Sequence, residues 1–181
     1  VATTTALRLA DLPKPERRRA TARTALVIAA VWVVLVGVYH LLPLDRDARD
    51  IVGQLVVGIL LFVAVTVWEV VRILRSRLPQ LRAIEALGVL SALFLVIFSS
   101  TYLVLATANP ASFTQPLDHT AALYFTITVL ATVGFGDISA VSQTARILVS
   151  IQMLLDIALL ASLARIVVGA ARHSLGERLN G

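Results

Sequence analysis

Leu123-Tyr124-Phe125-Thr126-Ile127-Thr128-Val129-Leu130-Ala131-Thr132-Val133-Gly134-Phe135-Gly136-Asp137 divides into two parts of different character. The first eight residues are mostly apolar and, extended back to Asp118, predict a helix too short to cross a bilayer, with Asp118 or Thr120 as its N-cap. The last six place glycine at alternate positions, and glycine enters positive φ without the penalty a Cβ carries. A backbone that alternates in this way turns successive carbonyls to the same side. Such irregular backbone survives at membrane depth only where protein or a water-filled path satisfies its polar groups. The stretch therefore predicts a re-entrant helix and loop.

The surroundings supply the membrane. A hydrocarbon core of roughly 30 Å needs about 20 apolar residues of helix. Four stretches approach or meet that length: Thr24 to Leu42, Ile51 to Trp68, Ala86 to Ala106, and Ile147 to Ala164. The first three are free of charge, and the fourth carries one acid, Asp156, at its middle. The whole chain of 181 residues is 58% hydrophobic with a mean hydropathy of +0.87, too apolar for a water-soluble domain. Its expected class is an all-α membrane protein of four transmembrane helices plus the re-entrant helix. A signal peptide is not favoured for Thr24 to Asp50, whose apolar part is too long and has no small-residue cleavage pattern.

The net charge of +5 reads as topology, not as a nucleic-acid surface, because the basic residues flank the spans. Thirteen lie on one side: Arg8, Lys14, Arg17, Arg18, Arg19 and Arg23 before the first span, Arg72, Arg75, Arg77 and Arg82 between the second and third, and Arg165, Arg172 and Arg178 after the fourth. Only Arg46, Arg49 and Arg146 lie on the other, beside five aspartates. Both termini are therefore expected in the cytoplasm of a cell-membrane protein. Leu7 to Pro13 and the basic run after it are expected either on the anionic inner leaflet or as a mobile topogenic tail. Glu69 stands three residues before Arg72 and is expected to pair with it. There is no cysteine, and His40, His119 and His173 stand far apart with no carboxylates at ligand spacing. An enzyme is not expected, and neither is a cofactor.

On these residues the segment from Leu123 to Asp137 resembles the pore segment of the potassium channel superfamily, a likeness that runs from Ala86 to about Arg172. The resemblance implies a homotetramer around a central pore, with the third span as outer helix and the fourth as inner helix. It implies a selectivity filter at Thr132, Val133, Gly134, Phe135 and Gly136. There the carbonyls of Thr132, Val133, Gly134 and Phe135, with the Thr132 hydroxyl below, replace the water shell of K+, the permeant ion. Asp137 and Asp118 would ring the outer mouth. The implied organisation is a basic N-terminal segment (1–23), two peripheral spans and their linker (24–83), a pore domain (84–172) and a cytoplasmic tail (173–181). Neither peripheral span carries the arginine ladder of a voltage sensor.

The chain departs from the family pattern in three places. Phe135 stands where tyrosine is commoner, Phe125 where many relatives carry tryptophan, and Thr128 where some carry a glutamate that braces the filter from behind. Fewer side-chain braces are expected, and with them a filter less stable in low potassium. The inner helix also has no glycine between Arg146 and Val168, so a glycine hinge is not available. Leu160, with Leu163 or Ala164 a turn below, is the candidate gate, closing by dewetting, against ordinary helix packing as the alternative. Asp156 has two placements. Facing a water-filled cavity, four carboxylates would concentrate K+ and hold internal magnesium or polyamines, as a cavity acid does in inward-rectifying potassium channels about one turn nearer the cytoplasm. Facing protein, it would be satisfied by Ser150, Gln152 or Ser162.

Three other functions are weighed against a potassium-selective channel. A weakly selective monovalent cation channel would share the loop. A non-conducting membrane assembly module would not need an intact filter. An ion-uptake transporter of the channel-like type carries four degenerate repeats in one chain, and only one is present. Fewer than twenty residues follow Ala164, so no ligand-binding cytoplasmic domain is expected within this stretch, with removal of one at that point left open, and the start at Val1 reads as trimming or processing.

Overall fold

The computed structural model describes residues 13–41, 51–76 and 78–179. They form five α-helices: α1 (Lys14–Leu41), α2 (Ile51–Leu74), α3 (Pro79–Ala108), α4 (His119–Leu130) and α5 (Gln143–Leu179). A single 3₁₀ turn, Pro110–Ser112, follows α3, and no strand occurs among the described residues. Four of the helices are long and apolar enough to cross a membrane, and α4 is not.

The helices outrun the apolar stretches that predict them. α1 begins at Lys14, ten residues before the apolar run, because the intervening Arg and Ala residues are strong helix formers. The basic run 14–23 is thus the first turns of α1, whereas Leu7 to residue 12 lies outside the described residues. α3 begins with Pro79 at its first position, where the missing N–H is no loss. It ends at Asn109, whose side chain accepts a hydrogen bond from the Ala111 N–H at 3.2 Å and starts the turn. α5 continues through the expected tail to Leu179.

α3 is the centre of the chain. α1 and α2 each pack on it, with little contact between the two, and α4 and α5 also pack on it. At the α1 contact Gly88 has no Cβ to clash with Ile28, which lies 2.9 Å from where one would stand, and the Trp32 indole donates to the Gly88 carbonyl at 3.1 Å. The apolar core runs along α3 into α4 as an aromatic ladder of Phe94, Phe98, Tyr102, Phe113 and Phe125, with Ala145, Leu148 and Val149 of α5 packed into the same cluster. Phe125, in the place where relatives carry tryptophan, packs edge-on to Tyr102 and Phe113, with centroids 5.3 and 5.6 Å away. Its lost polar handle is exchanged for packing.

At the end of the bundle away from α4, Arg72 donates to Glu69 at 2.9 Å, as its spacing on the helix predicts, and lies 3.6 Å from Glu85. Arg82 closes the cluster on Glu85 at 2.7 Å. The Glu69 side chain is buried, and this network brings the ends of α2 and α3 together. At the opposite end the Tyr39 hydroxyl donates to the His119 carbonyl at 2.8 Å, tying the end of α1 to the start of α4.

Candidate functional site

α4 starts at its expected cap: the Asp118 carboxylate accepts from the Ala121 N–H at 2.7 Å. At the other end the chain does not simply leave the helix. The N–H groups of Val133 and Gly134 both return to the Thr128 carbonyl, at 3.0 and 3.3 Å, and fold the loop against the last turn. Positive φ then falls at Thr132 (57°), Gly134 (53°) and Gly136 (80°), with the residues between them on the ordinary side. This is the alternation that two glycines suggest, extended by one residue that sequence reasoning does not reveal. Thr132 is the one non-glycine residue with positive φ among those described, and a β-branched residue there is strained.

The loop from Ala131 to Asp137 is exposed on the single chain, Val133 by 52% and Phe135 by 69%. Its far end is lashed down. The Tyr124 hydroxyl donates to the Asp137 carboxylate at 2.9 Å, and this bond raises the Tyr124 pKa above its ordinary value. The Tyr124 ring also lies parallel to that of Phe135, centroids 6.5 Å apart. The Gln115 amide donates to the Asp137 carbonyl at 3.0 Å, and the Thr114 N–H donates to the Ser139 carbonyl at 3.0 Å. Tyr124 is thus a brace that the expectation of a weakly braced filter overlooks. The available signal is an aromatic residue with a hydroxyl two turns from the end of the short helix.

Behind the loop a buried polar chain joins three helices. The Ser99 hydroxyl on α3 donates to the Thr126 hydroxyl on α4 at 3.0 Å, and that hydroxyl donates on to the Ala122 carbonyl at 2.8 Å. The Gln152 amide on α5 donates to the Thr126 carbonyl at 3.2 Å, and the Tyr102 hydroxyl on α3 donates to Gln152 Oε1 at 2.6 Å. Gln152 also donates to Asp156 Oδ2 at 3.4 Å, at the limit of a useful bond.

Asp156 is accordingly placed inward. Only 2% of it is exposed, and it shares the buried face of α5 with Ala145, Leu148, Val149 and Gln152. Of its three expected partners, Gln152 meets it, while Ser150 and Ser162 donate to carbonyls of their own helix. Asp156 Oδ1 has no hydrogen-bond partner among the described residues. Within the single chain the carboxyl lies on the same face of α5 as Gln152, four residues further along, in the seam with α3 and α4. Leu160 and Ala164 are exposed, and the side chain of Leu163 lies outside those described.

A short helix and a loop of alternating φ thus lie between two membrane-length helices, the order expected of a pore-loop channel domain. Residues 90–172, just under half of the chain, match the family model described as Ion channel, which supports a pore-loop cation channel. The chain is a multi-pass membrane protein. No curated protein and no solved structure matches it.

Proposed function

We propose that four copies of this chain assemble about the 132–136 loop as a potassium-selective channel. The observation that carries this reading is positive φ at Thr132, Gly134 and Gly136, every second residue along the loop. Alternation of this kind turns neighbouring carbonyls to one side, and four chains stack them into rings that replace the hydration shell of K+. One loop supplies a quarter of each ring, so the conducting unit is a tetramer. The exposure of Val133 and Phe135 on the single chain fits a surface that other copies cover. The C-terminal end of α4 presents partial negative charge toward the ion below the filter.

In this reading Asp137, held by Tyr124, rings the outer mouth, and both chain ends lie in the cytoplasm. Asp156 holds α5 to the polar chain behind the filter. Leu160 and Ala164, exposed along α5, form the apolar constriction. Ions pass down their gradient, with no catalysis and no cofactor beyond the permeant ion.

Mass measurement in detergent is expected to give a fourfold assembly, and a monomer or dimer that conducts defeats the proposal. In liposomes under unequal potassium and sodium, the reversal potential is expected near the potassium equilibrium value. A value midway makes the protein a weakly selective cation channel, and absence of flux makes it an assembly module.

A further inference from the structure

Two cavities meet at Trp68 on the flank away from the filter loop. The first, about 600 Å³, lies at the bundle end where α1 begins, α2 ends and α3 begins. It is lined by Arg23, Arg72, Arg75 and Arg82, with Glu85 the one acid in its wall. The second, about 470 Å³, is a groove between α1 and α2 over α3, walled entirely by apolar side chains such as Val31, Leu61, Val65 and Leu93. Trp68 lines both, and the Arg72 guanidinium sits 4.5 Å over its ring. The groove exists because α1 and α2 each pack on α3 and hardly touch each other.

We propose that this compound site binds one anionic phospholipid per chain, phosphate in the arginine cavity and acyl chain in the groove. Glu69 and Glu85 already hold Arg72, and Glu85 holds Arg82. Arg23 and Arg75 make no ion pair among the described residues and are exposed at the cavity. The wall therefore keeps two cationic donors unmatched, suited to a phosphate oxygen. A free phosphate answers the arginines alone. An amphiphile answers both cavities and their junction. The amphipathic Trp68 stands where headgroup meets chain, the position tryptophan favours at a membrane interface. On the positive-inside reading this end faces the inner leaflet, where anionic lipid is at hand.

Binding is measured on the full chain in neutral detergent by native mass spectrometry, titrating phosphatidylglycerol, phosphatidylcholine and glycerol 3-phosphate. Phosphatidylglycerol is expected to bind at least about tenfold tighter than phosphatidylcholine and far tighter than glycerol 3-phosphate. The Arg23→Gln/Arg75→Gln pair is expected to remove that preference, and Ala30→Phe, which narrows the groove, to weaken both lipids. As a check needing no charge substitution, acyl-brominated phosphatidylglycerol should quench Trp68 in a Trp32→Phe background more than brominated phosphatidylcholine does. Equal quenching by the two lipids overturns the proposal. So does an unchanged preference in the double arginine variant. Glycerol 3-phosphate binding as tightly as the lipid would show a free-anion site and overturn the lipid assignment.

Discussion

Replacing Asp156 by Asn separates the two placements of the acid. An acid in mid-span costs about 2.5 to 3.5 kcal/mol on insertion scales unless protein or water compensates it. Here Gln152 offers one long bond at 3.4 Å, and Oδ1 has none, so compensation is incomplete. A buried polar atom left unpaired costs about 1 to 3 kcal/mol. Asn has nearly the same shape, still accepts from Gln152, and cannot carry the charge. Asp156→Asn is therefore expected to leave the assembly as stable as before or to stabilise it by up to about 3 kcal/mol per chain. Stability is read as the temperature at which the detergent-solubilised oligomer dissociates. Because the carboxyl lies in a seam 2% exposed, internal magnesium is expected to block outward current equally in both proteins at the same voltage and salt. A large loss of block or of single-channel conductance in Asp156→Asn would refute this placement and put the carboxylate in the ion path.

Gly134→Ala puts a Cβ on a backbone at φ +53, with no atom of the described residues beyond its two chain neighbours within 4 Å of it. The cost is conformational, on the order of 1 kcal/mol or more per chain, and potassium flux should collapse while the oligomer persists by mass. Tyr124→Phe removes the bond to Asp137 and should hasten loss of conductance when external potassium is withdrawn, measured as the decay of current after the exchange. Tyr102→Phe leaves Gln152 Oε1 buried and lacking its 2.6 Å donor, a loss of about 1 to 3 kcal/mol per chain. In the same dissociation assay Tyr102→Phe/Gln152→Leu should lose more, because it also strips the Thr126 carbonyl and Asp156 Oδ2 of their Gln152 bonds. Leu160→Ser wets the proposed constriction and should raise the resting open probability in single-channel records.

What could be read from the chain in advance follows the kind of signal each feature carries. Asp118 capping α4 and the Glu69–Arg72 pair are local, set by residues three apart, and both stand where expected. The glycines at 134 and 136 announce their own φ, but the strain at Thr132 comes from the return bonds of Val133 and Gly134 to Thr128, which no residue type advertises. The direction of Asp156 was not legible for a different reason. A helix apolar on nearly every side gives no periodic clue to its inner face, so the choice between cavity and seam rests on neighbours from α3 and α4. Tyr124 and Asp137, thirteen residues apart, meet only because the loop doubles back along its own helix.

The bonds around the loop are unevenly distributed. Every brace identified here acts from behind or above: Thr128 on the loop backbone, Tyr124 and Gln115 on Asp137, and Gln152, Tyr102 and Ser99 around Thr126. The front of the loop, with Val133 and Phe135, remains uncovered. In hydrocarbon each unsatisfied backbone group costs several kcal/mol, so that front cannot face lipid. It needs water, ions or other copies of the same surface. The proposed fourfold closure would supply all three at once, burying the apolar side chains between neighbours and turning the carbonyls toward an aqueous axis. A chain that rigidifies only the back of such a loop suits the proposed role as a quarter of a pore. The free flank made by α1 and α2 is left to meet lipid, where the two cavities at Trp68 offer a charged end and an apolar one.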